Sequence, residues 1–296
     1  MVESNLSSET KSTPTIALIG YKGNLGKAID IELNKRGFNV VRIGRTGDLG
    51  TQNHLTPNES INLQSGLRAS AIINLANYYT PAPDGPDFER MKDSIVGVAK
   101  AIAQFNKKLR VPLISASTYF QFSPKTEAPW SDYVLYKNQA RELLSDRAIS
   151  DDFTFTDFIL FDNYGGERKS KFFDLAVESL NTGSILPATC GEQVVNLAHI
   201  EDIVDAIIQE LNLLLRNSST IQNTYELRSS ETYSLKELAL LIESNSGRSL
   251  NINWCAIPYR EREVFNLWDT GFSAPPTWIQ KWNVSSYIKS LFFSEV

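Results

Sequence analysis

The segment TIALIGYKGNLGKA at residues 15–28 decides how this chain folds. Its first five residues form an apolar run of the kind found in buried parallel strands. Gly20, Gly23 and Gly26 follow in a G-x-x-G-x-x-G pattern, and an amphipathic helix is predicted over 25–36. Glycines at this spacing let backbone amides approach a pyrophosphate at a helix amino terminus. The segment therefore predicts a dinucleotide site; a purely structural glycine turn is the alternative.

The alternation of strands and helices continues through the first half of the chain. Crossover connections between such strands produce a parallel sheet with helices on both faces. We therefore predict an α/β fold built on a doubly wound parallel sheet. The predicted strands lie at 15–19, 39–45, 71–76, 111–117 and 154–161, and the predicted helices near 25–36, 89–107, 132–147 and 170–181.

The sequence predicts three unequal parts of the chain, which are a tail, a large domain and a smaller lobe. Residues 1–13 are polar and are expected to form a disordered tail, and residues 14–162 form the predicted dinucleotide-binding domain. Residues 163–296 are predicted to form mainly a smaller substrate lobe over the carboxyl ends of the strands, where open sheets of this type bind ligands. Segments near 191–215 are candidates for a return to the first domain.

Composition excludes several classes of protein. The chain has 296 residues, 42% of them hydrophobic and 21% charged, which is typical of a globular protein. Its net charge of −5 argues against a nucleic-acid partner, because phosphate binding needs clustered cations. The sequence contains neither an apolar run of the roughly 18 residues that a membrane span requires nor an apolar signal core. We therefore predict a cytoplasmic protein that has no membrane partner.

Cys190 and Cys255 are the two cysteines of the chain. They lie far apart and lack the paired spacing of metal ligands or of a redox motif. We therefore expect two reduced, buried thiols and no bound metal.

The residue at the end of the second predicted strand indicates whether the chain prefers NAD or NADP. A carboxylate at this place would hold the ribose hydroxyls of NAD, whereas a cation would meet the extra phosphate of NADP. The residue here is Arg45, with Arg42 nearby, and arginine pairs with a phosphate through two parallel hydrogen bonds. The sequence therefore favours NADP(H); the alternative is that Arg45 is a solvated surface residue.

Tyr133 and Lys137 are four residues apart and share one face of the predicted helix 132–147. The helix follows the strand that ends in ISAST, from which Ser117 would emerge at the carboxyl edge of the sheet. Hydride transfer to a carbonyl carbon leaves charge on oxygen, which a proton donor must neutralise. Tyr133 is the predicted donor, Lys137 is expected to lower its pKa, and Ser117 to orient the substrate oxygen. A surface Tyr/Lys pair is the alternative.

With these motifs in place, the chain resembles the extended short-chain dehydrogenases/reductases, also called the nucleotide-sugar epimerase/dehydratase family. The resemblance implies a Rossmann-type fold, a catalytic set of Ser117, Tyr133 and Lys137, a nucleotide-sugar partner and a homodimer formed through the helices near 89–107 and 132–147. It is carried by the glycine pattern at 20–26, NLA at 74–76, Ser117, Tyr133-x-x-x-Lys137, NYGGER at 163–168 and GEQVVNLAHIEDIVDAI at 191–207.

The resemblance also assigns ligand contacts. Arg260 matches the family's pyrophosphate-binding arginine, and Asn163 lies where the chain passes the sugar, although Arg168 and Arg262 are equally consistent with solvated surface. His199 is expected to be a packed residue rather than a base, and Glu201 and Asp202 to start a helix. The expected cofactor contacts are Gly20, Gly23, Asn24, Leu25, Gly26, Arg45, Leu75, Ala76, Tyr133 and Lys137, and the expected substrate contacts are Ser117, Thr118, Asn163, Arg168 and Arg260.

Departures from the family pattern reduce the number of reactions that the chain is expected to catalyse. Thr118 and Tyr119 replace the Asp-Glu pair of the dehydratases, and Ser94 replaces the asparagine usual before Gly97. ISASTYFQF and FILFDNYGGERKSKF resemble the 4-keto-sugar reductases typified by CDP-abequose and CDP-paratose synthases. We therefore predict NADPH-dependent reduction of a CDP- or dTDP-linked 4-keto-deoxyhexose, in deoxysugar and polysaccharide biosynthesis. An NAD-dependent nucleotide-sugar epimerase and a non-catalytic dinucleotide-sensing protein are the alternatives.

Overall fold

The computed structural model describes residues 13–45, 53–55, 61–62, 68–80, 85–124, 131–167, 171–217, 220–260 and 263–293. Its strands are β1 (Thr15–Ile19), β2 (Asn39–Arg45), β3 (Asn53–Leu55), β4 (Ile61–Asn62), β5 (Ala71–Asn74), β6 (Leu113–Thr118), β7 (Phe155–Leu160), β8 (Asp162–Tyr164), β9 (Leu186–Pro187), β10 (Val194–His199), β11 (Gln222–Leu227), β12 (Thr232–Ser234) and β13 (Ile252–Asn253). Its helices are α1 (Asn24–Lys35), α2 (Gly85–Lys92), α3 (Val98–Leu109), α4 (Asp132–Ser150), α5 (Phe172–Thr182), α6 (Ile200–Arg216), α7 (Leu235–Ser246) and α8 (Val284–Phe293), with a π-helical segment at Asp93–Gly97 and a 3-10 turn at Tyr119–Phe122.

The central sheet has the strand order β11-β7-β6-β5-β1-β2-β3-β4. Neighbouring strands are parallel, except that β3 and β4 are antiparallel. The chain leaves β1 toward β2 on one side and later returns to β5 on the other side. This reversal opens a crevice at the carboxyl ends of β1 and β5, where doubly wound sheets bind ligands. The predicted Rossmann-type α/β fold is confirmed.

Successive residues of β1 face opposite helical layers because side chains alternate along a strand. Ile16 and Leu18 pack in one cluster with buried residues of α1 and α6. Ala17 and Ile19 pack in a second cluster with residues of α3 and α4. Both clusters consist of fully or nearly fully buried apolar side chains, so the sheet is covered on both faces.

The smaller lobe has a core of its own. Buried side chains of α5, α7 and α8 pack there with residues of β8 to β10. The chain also returns to the large domain, since α6 packs against α1 and β11 pairs with β7 along its full length. Strand β11 at the sheet edge was not anticipated from the sequence. Residues 1–12 of the expected tail lie outside the described residues.

The cysteines differ from the expectation. Cys190 and Cys255 form a disulfide with an S–S distance of 2.06 Å, and Cys255 is exposed to solvent. Strands β9 and β13 pair in parallel, Leu186 with Ile252, so the residues that follow them are brought side by side. The prediction of two reduced, buried thiols is therefore wrong. In the part of the chain that the structure describes, no helix combines the length and apolarity needed to cross a membrane.

We expect the disulfide to contribute to stability because it closes a long loop. The bonded residues are 65 positions apart, and closing a loop of that length in the unfolded chain is worth about 4 kcal/mol. Replacing both Cys190 and Cys255 by Ser should lower the free energy of unfolding in urea by about this amount. Dithiothreitol should shift the unfolding midpoint of the wild type and leave that of the double variant unchanged. A wild-type midpoint insensitive to dithiothreitol would contradict this expectation.

Candidate active site

The glycine turn is packed against the backbone that follows β5. Gly20 has φ +84°, and a Cβ atom there would lie 2.5 Å from the Leu75 carbonyl carbon and 2.6 Å from the Ala76 nitrogen. A Cβ on Gly26 would lie 2.2 Å from the Gly20 oxygen. Both positions therefore require glycine for steric reasons, which are the tight turn and the close approach of α1 to it.

Gly23 differs from the other two glycines. It caps α1 with ordinary extended backbone, φ −71° and ψ 164°, and offers no side chain to the first turn of the helix. A Cβ there would meet nothing closer than the Gly20 oxygen at 3.4 Å. The first turn of α1 also carries no acidic side chain. Space and partial positive charge are thus both available to a phosphate at this helix end.

The turn is also joined to the loop that follows β8. The Asn24 side chain accepts a hydrogen bond from the Glu167 nitrogen at 3.0 Å, and Lys27 pairs with the Glu167 carboxylate at 2.6 Å. Leu25 packs at the edge of the core beside α6. The side chain of Asn24 therefore holds the loop, and the expected cofactor contacts of Asn24 and Leu25 stay predictions.

Arg45 is the last residue of β2, two positions beyond Ile43, which pairs with Ile19 at the end of β1. This places Arg45 at the carboxyl edge of the sheet, next to the strand that carries the glycine turn. Arg42 is already engaged, since its Nε lies 2.8 Å from an Asp30 carboxylate oxygen. Arg42 is thus held by α1, and the contact of Arg45 with a cofactor stays a prediction.

The predicted phenol and ammonium lie at the start of α4. Ser131 caps this helix by accepting a hydrogen bond from the Val134 nitrogen. Asn77 donates to the Tyr133 hydroxyl at 3.2 Å, and the Tyr79 ring lies edge-on to the Tyr133 ring at 5.0 Å between centroids. Asn77 and Tyr79 were missed in the sequence, although their place directly after β5 puts them at the carboxyl edge.

The ionisation of this pair differs from the expectation. Burial raises the pKa of Tyr133 to about 12, and the hydrogen bond from Asn77 opposes that rise. Burial lowers the pKa of Lys137 to about 8, and the charge of Asp157 opposes that fall. The Lys137 ammonium donates a hydrogen bond to the Ala116 carbonyl. The expected shift of the Tyr133 pKa toward the working pH is therefore not seen: the net shift is upward, and burial is its largest cause.

The predicted hydroxyl residues occupy two different places. Ser117 is 5% exposed and lies beside Asp157; burial raises the pKa of that carboxyl, and Ser117 and Arg141 act against the rise. Thr118 caps the 3-10 turn, where its side chain accepts from the Gln121 nitrogen and the Gln121 side chain accepts from the Thr118 nitrogen. Ser117 thus contacts Asp157 within the sheet layer, and Thr118 lies one step closer to the carboxyl edge.

The predicted substrate contacts are spread over the lobe. Asn163 lies in β8 opposite Ala198 of β10. Arg260 is exposed in the loop after the disulfide, where its nitrogen donates to the Glu263 carboxylate at 3.4 Å. Arg168 and Arg262 lie outside the described residues. The structure therefore places Arg260 on an accessible loop and leaves its ligand a prediction.

His199 is a packed residue, as expected. Its Nδ1 accepts from the Glu201 nitrogen at the start of α6, and its ring lies 4.7 Å from the Tyr287 ring. Burial lowers its pKa to about 4, so it is neutral at physiological pH. Glu201 and Asp202 occupy the first turn of α6, which confirms their predicted place. In the described ranges no cluster of three His, Cys, Asp or Glu side chains could hold a metal ion.

The fold and the glycine cradle define a dinucleotide-binding protein of the Rossmann type. Residues 16–222 match the model of the NAD dependent epimerase/dehydratase family, and the chain belongs to this family. It is 24% identical over 273 residues to CDP-abequose synthase of Yersinia pseudotuberculosis, a match that covers 86% of this chain and 95% of that protein.

Solved structures of nucleotide-sugar enzymes share the fold. UDP-glucose 4-epimerase of Thermotoga maritima, with UDP-glucose, has a TM-score of 0.73 at 15% identity and covers 93% of this chain and 96% of its own. UDP-glucuronic acid 4-epimerase of Bacillus cereus, with UDP-glucuronic acid and NAD, has a TM-score of 0.69 at 17% identity. The match covers 94% of this chain and 100% of the epimerase chain. Taken with the family match, they support an NAD(P)-dependent enzyme of nucleotide sugars.

The glycine turn can be tested with two alanine variants that separate folding from binding. Gly23→Ala should keep the wild-type melting temperature, because the new methyl group meets only an ordinary contact. It should weaken dinucleotide binding at least about tenfold, because the methyl group occupies the place of the pyrophosphate. Isothermal titration of NADPH and NADH measures the affinity.

Gly26→Ala is the matched comparison. Its methyl group would collide with the Gly20 oxygen, so this variant should lose both stability and binding. Unchanged affinity in a stable Gly23→Ala protein would refute the placement of the pyrophosphate at this turn.

Proposed function

We propose that this chain reduces the 4-keto group of a CDP- or dTDP-linked deoxyhexose with NADPH. The observation that carries the proposal is the phenol of Tyr133, which stays protonated beside Lys137 at the carboxyl edge of a sheet with a dinucleotide cradle. The match to CDP-abequose synthase supports a nucleotide-linked deoxysugar as the substrate class.

The side chains divide the work of the reaction. Bound NADPH supplies the hydride that reaches the carbonyl carbon. Tyr133 donates its proton to the carbonyl oxygen as negative charge develops there, and Asn77 orients the phenol through its hydrogen bond. Lys137 stabilises the resulting phenolate and holds the nicotinamide ribose. A hydroxyl of Ser117 or Thr118 orients the substrate oxygen, which completes the donor set.

The remaining proposed contacts involve the glycine turn and several arginines. The glycine turn would fit a pyrophosphate because Gly23 leaves open space at the amino terminus of α1, where the first turn carries no acidic side chain. Arg45 would meet the 2′-phosphate, since Arg42 is paired with Asp30. Arg260 and Arg168 would bind the sugar-linked pyrophosphate, with Asn163 beside the sugar.

A 4-epimerase that holds NAD is the second candidate. The observation that favours it is that the similar solved structures include 4-epimerases crystallised with NAD. The two functions differ in cofactor balance, since a reductase consumes NADPH and an epimerase consumes none. NAD that co-purifies with the protein, with no net change in absorbance at about 340 nm on adding UDP-sugars, would favour the epimerase.

Tyr133→Phe tests the proton donor. It should lower kcat with a 4-keto sugar and NADPH by at least about a thousandfold, because the carbonyl oxygen loses the group that transfers a proton to it. Binding of NADPH should stay within about twofold. Tyr136→Phe is the matched control, because Tyr136 lies on the same helix and packs against the aliphatic core. Substantial residual turnover in Tyr133→Phe would refute the assignment.

Arg45→Ala tests the choice of dinucleotide. The ratio of NADPH affinity to NADH affinity should fall about tenfold or more, because a charge-assisted pair with the 2′-phosphate is lost. Arg42→Ala should leave this ratio unchanged, since Arg42 pairs with Asp30. Equal affinity of the wild type for NADPH and NADH would contradict the preference for NADP(H).

A further inference from the structure

A buried ion pair lies beneath Lys137, in the layer between the sheet and α4. Asp157 in the middle of β7 is 1% exposed, and its Oδ2 accepts a hydrogen bond from the Arg141 Nε at 2.8 Å. Its Oδ1 is buried and has no hydrogen-bond partner among the described residues. Arg141 follows Lys137 by one helical turn, so the carboxylate lies against the helix face that carries the proposed catalytic pair.

Arg141 is fixed by more than its carboxylate partner. It donates to the Thr224 hydroxyl of β11 at 3.1 Å. Its guanidinium lies 5.3 Å from the Phe122 ring centroid and 5.9 Å from that of Phe272. Three separate parts of the chain thus hold this cation in place. Such pre-orientation lowers the cost of keeping the Asp157 charge inside the protein.

The groups that face Lys137 come from four elements. Asp157 is the one anion among them, and its charge is the one that raises the pKa of Lys137. One small cavity is lined by most of this set. The set consists of Tyr133 and Arg141 from α4, Asp157 from β7, the Ala116 carbonyl with the Ser115 and Ser117 hydroxyls from β6, and Asn74 from β5.

We propose that Asp157 is a positioning residue that keeps the Lys137 ammonium charged across the cavity that both side chains line, with Arg141 holding the carboxylate in place. The proposal rests on the proposed function, in which Lys137 binds the ribose and supports the Tyr133 phenol. It goes beyond the Ser117, Tyr133 and Lys137 set, because Asp157 acts through Lys137 and does not touch substrate or cofactor.

The physical reason is the desolvation of Lys137. Burial favours the neutral amine and brings the pKa of Lys137 down to about 8, while Asp157 acts in the opposite direction. A lysine is charged below its pKa and loses its charge as the pH rises through that value. Removal of the carboxylate lowers the pKa further, so the charge is lost at a lower pH. Cofactor binding that depends on the ammonium should then fail at a lower pH.

Asp157→Asn is the test, with NADPH affinity measured by fluorescence titration between about pH 6 and pH 9.5. We expect the wild type to lose affinity as the pH passes about 8 and the variant to lose it about one pH unit lower. At pH 8 the variant should bind about fivefold more weakly, which follows from the smaller charged fraction of Lys137, and at pH 6 it should bind equally well. The same titration is made with NADH if that is the tighter dinucleotide.

Glu210→Gln is the matched control. Glu210 is also a buried carboxylate, it accepts from the Thr156 hydroxyl at 2.8 Å, and it lies on the opposite face of the sheet. This variant should lose stability and keep the wild-type pH profile. If Asp157→Asn fails to fold, the Asp157→Asn, Arg141→Gln double variant removes the unpaired cation as well. It should fold and show a smaller shift in the same direction, because loss of the Arg141 cation partly offsets loss of the Asp157 anion.

The outcomes separate the two proposals. A wild-type pH profile of binding in Asp157→Asn or in the double variant would overturn the role of Asp157. A wild type that binds NADPH but reduces no CDP- or dTDP-4-keto sugar would instead overturn the proposed function, while the binding profile would still decide on Asp157.

Discussion

The structure depends on one close contact between backbone segments. The turn at Gly20 lies against the backbone of Leu75 and Ala76, and α1 reaches the same point because Gly26 has no side chain. This contact joins β1 to β5 at the place where the strand order reverses. The crevice, the first turn of α1 and the polar segment with Asn77 all meet there because the backbones of the glycine turn, of α1 and of the segment after β5 are in contact.

A second constraint is the burial of charge under α4, the helix that carries Tyr133 and Lys137. The sheet face below α4 is aliphatic along most of its length, and there a lone ammonium would lose its proton. Asp157 and Arg141 add an anion and a cation at the same depth, so the layer stays close to neutral. The large sheet and the proposed chemistry are therefore linked, because β7 supplies the carboxylate and β11 supplies the hydroxyl that holds Arg141.

The sequence predicted the features that depend on residues close to one another along the chain. The apolar run at 15–19 and the run at 39–45 form strands with those bounds, and Tyr133 and Lys137 lie on α4 as their spacing required. Features that need distant strands to pair were missed. Strand β11 reads as a polar segment, QNTYEL, and its place beside β7 depends on packing. The disulfide depends on the pairing of β9 with β13, and Asp157 has no local signal, since its partner lies on another element.

The ionisation of the site bears on the direction of the proposed reaction. A 4-epimerase needs its phenol to accept a proton and to return it, which is easiest when the pKa of the phenol lies near the working pH. In this protein burial raises the pKa of Tyr133 to about 12, so the phenol carries its proton at neutral pH. Lys137 is charged only below a pH of about 8, and a phenolate is stabilised only while that charge is present. A protonated Tyr133 and a charged Lys137 coexist below this pH, which is the state that carbonyl reduction requires at its start.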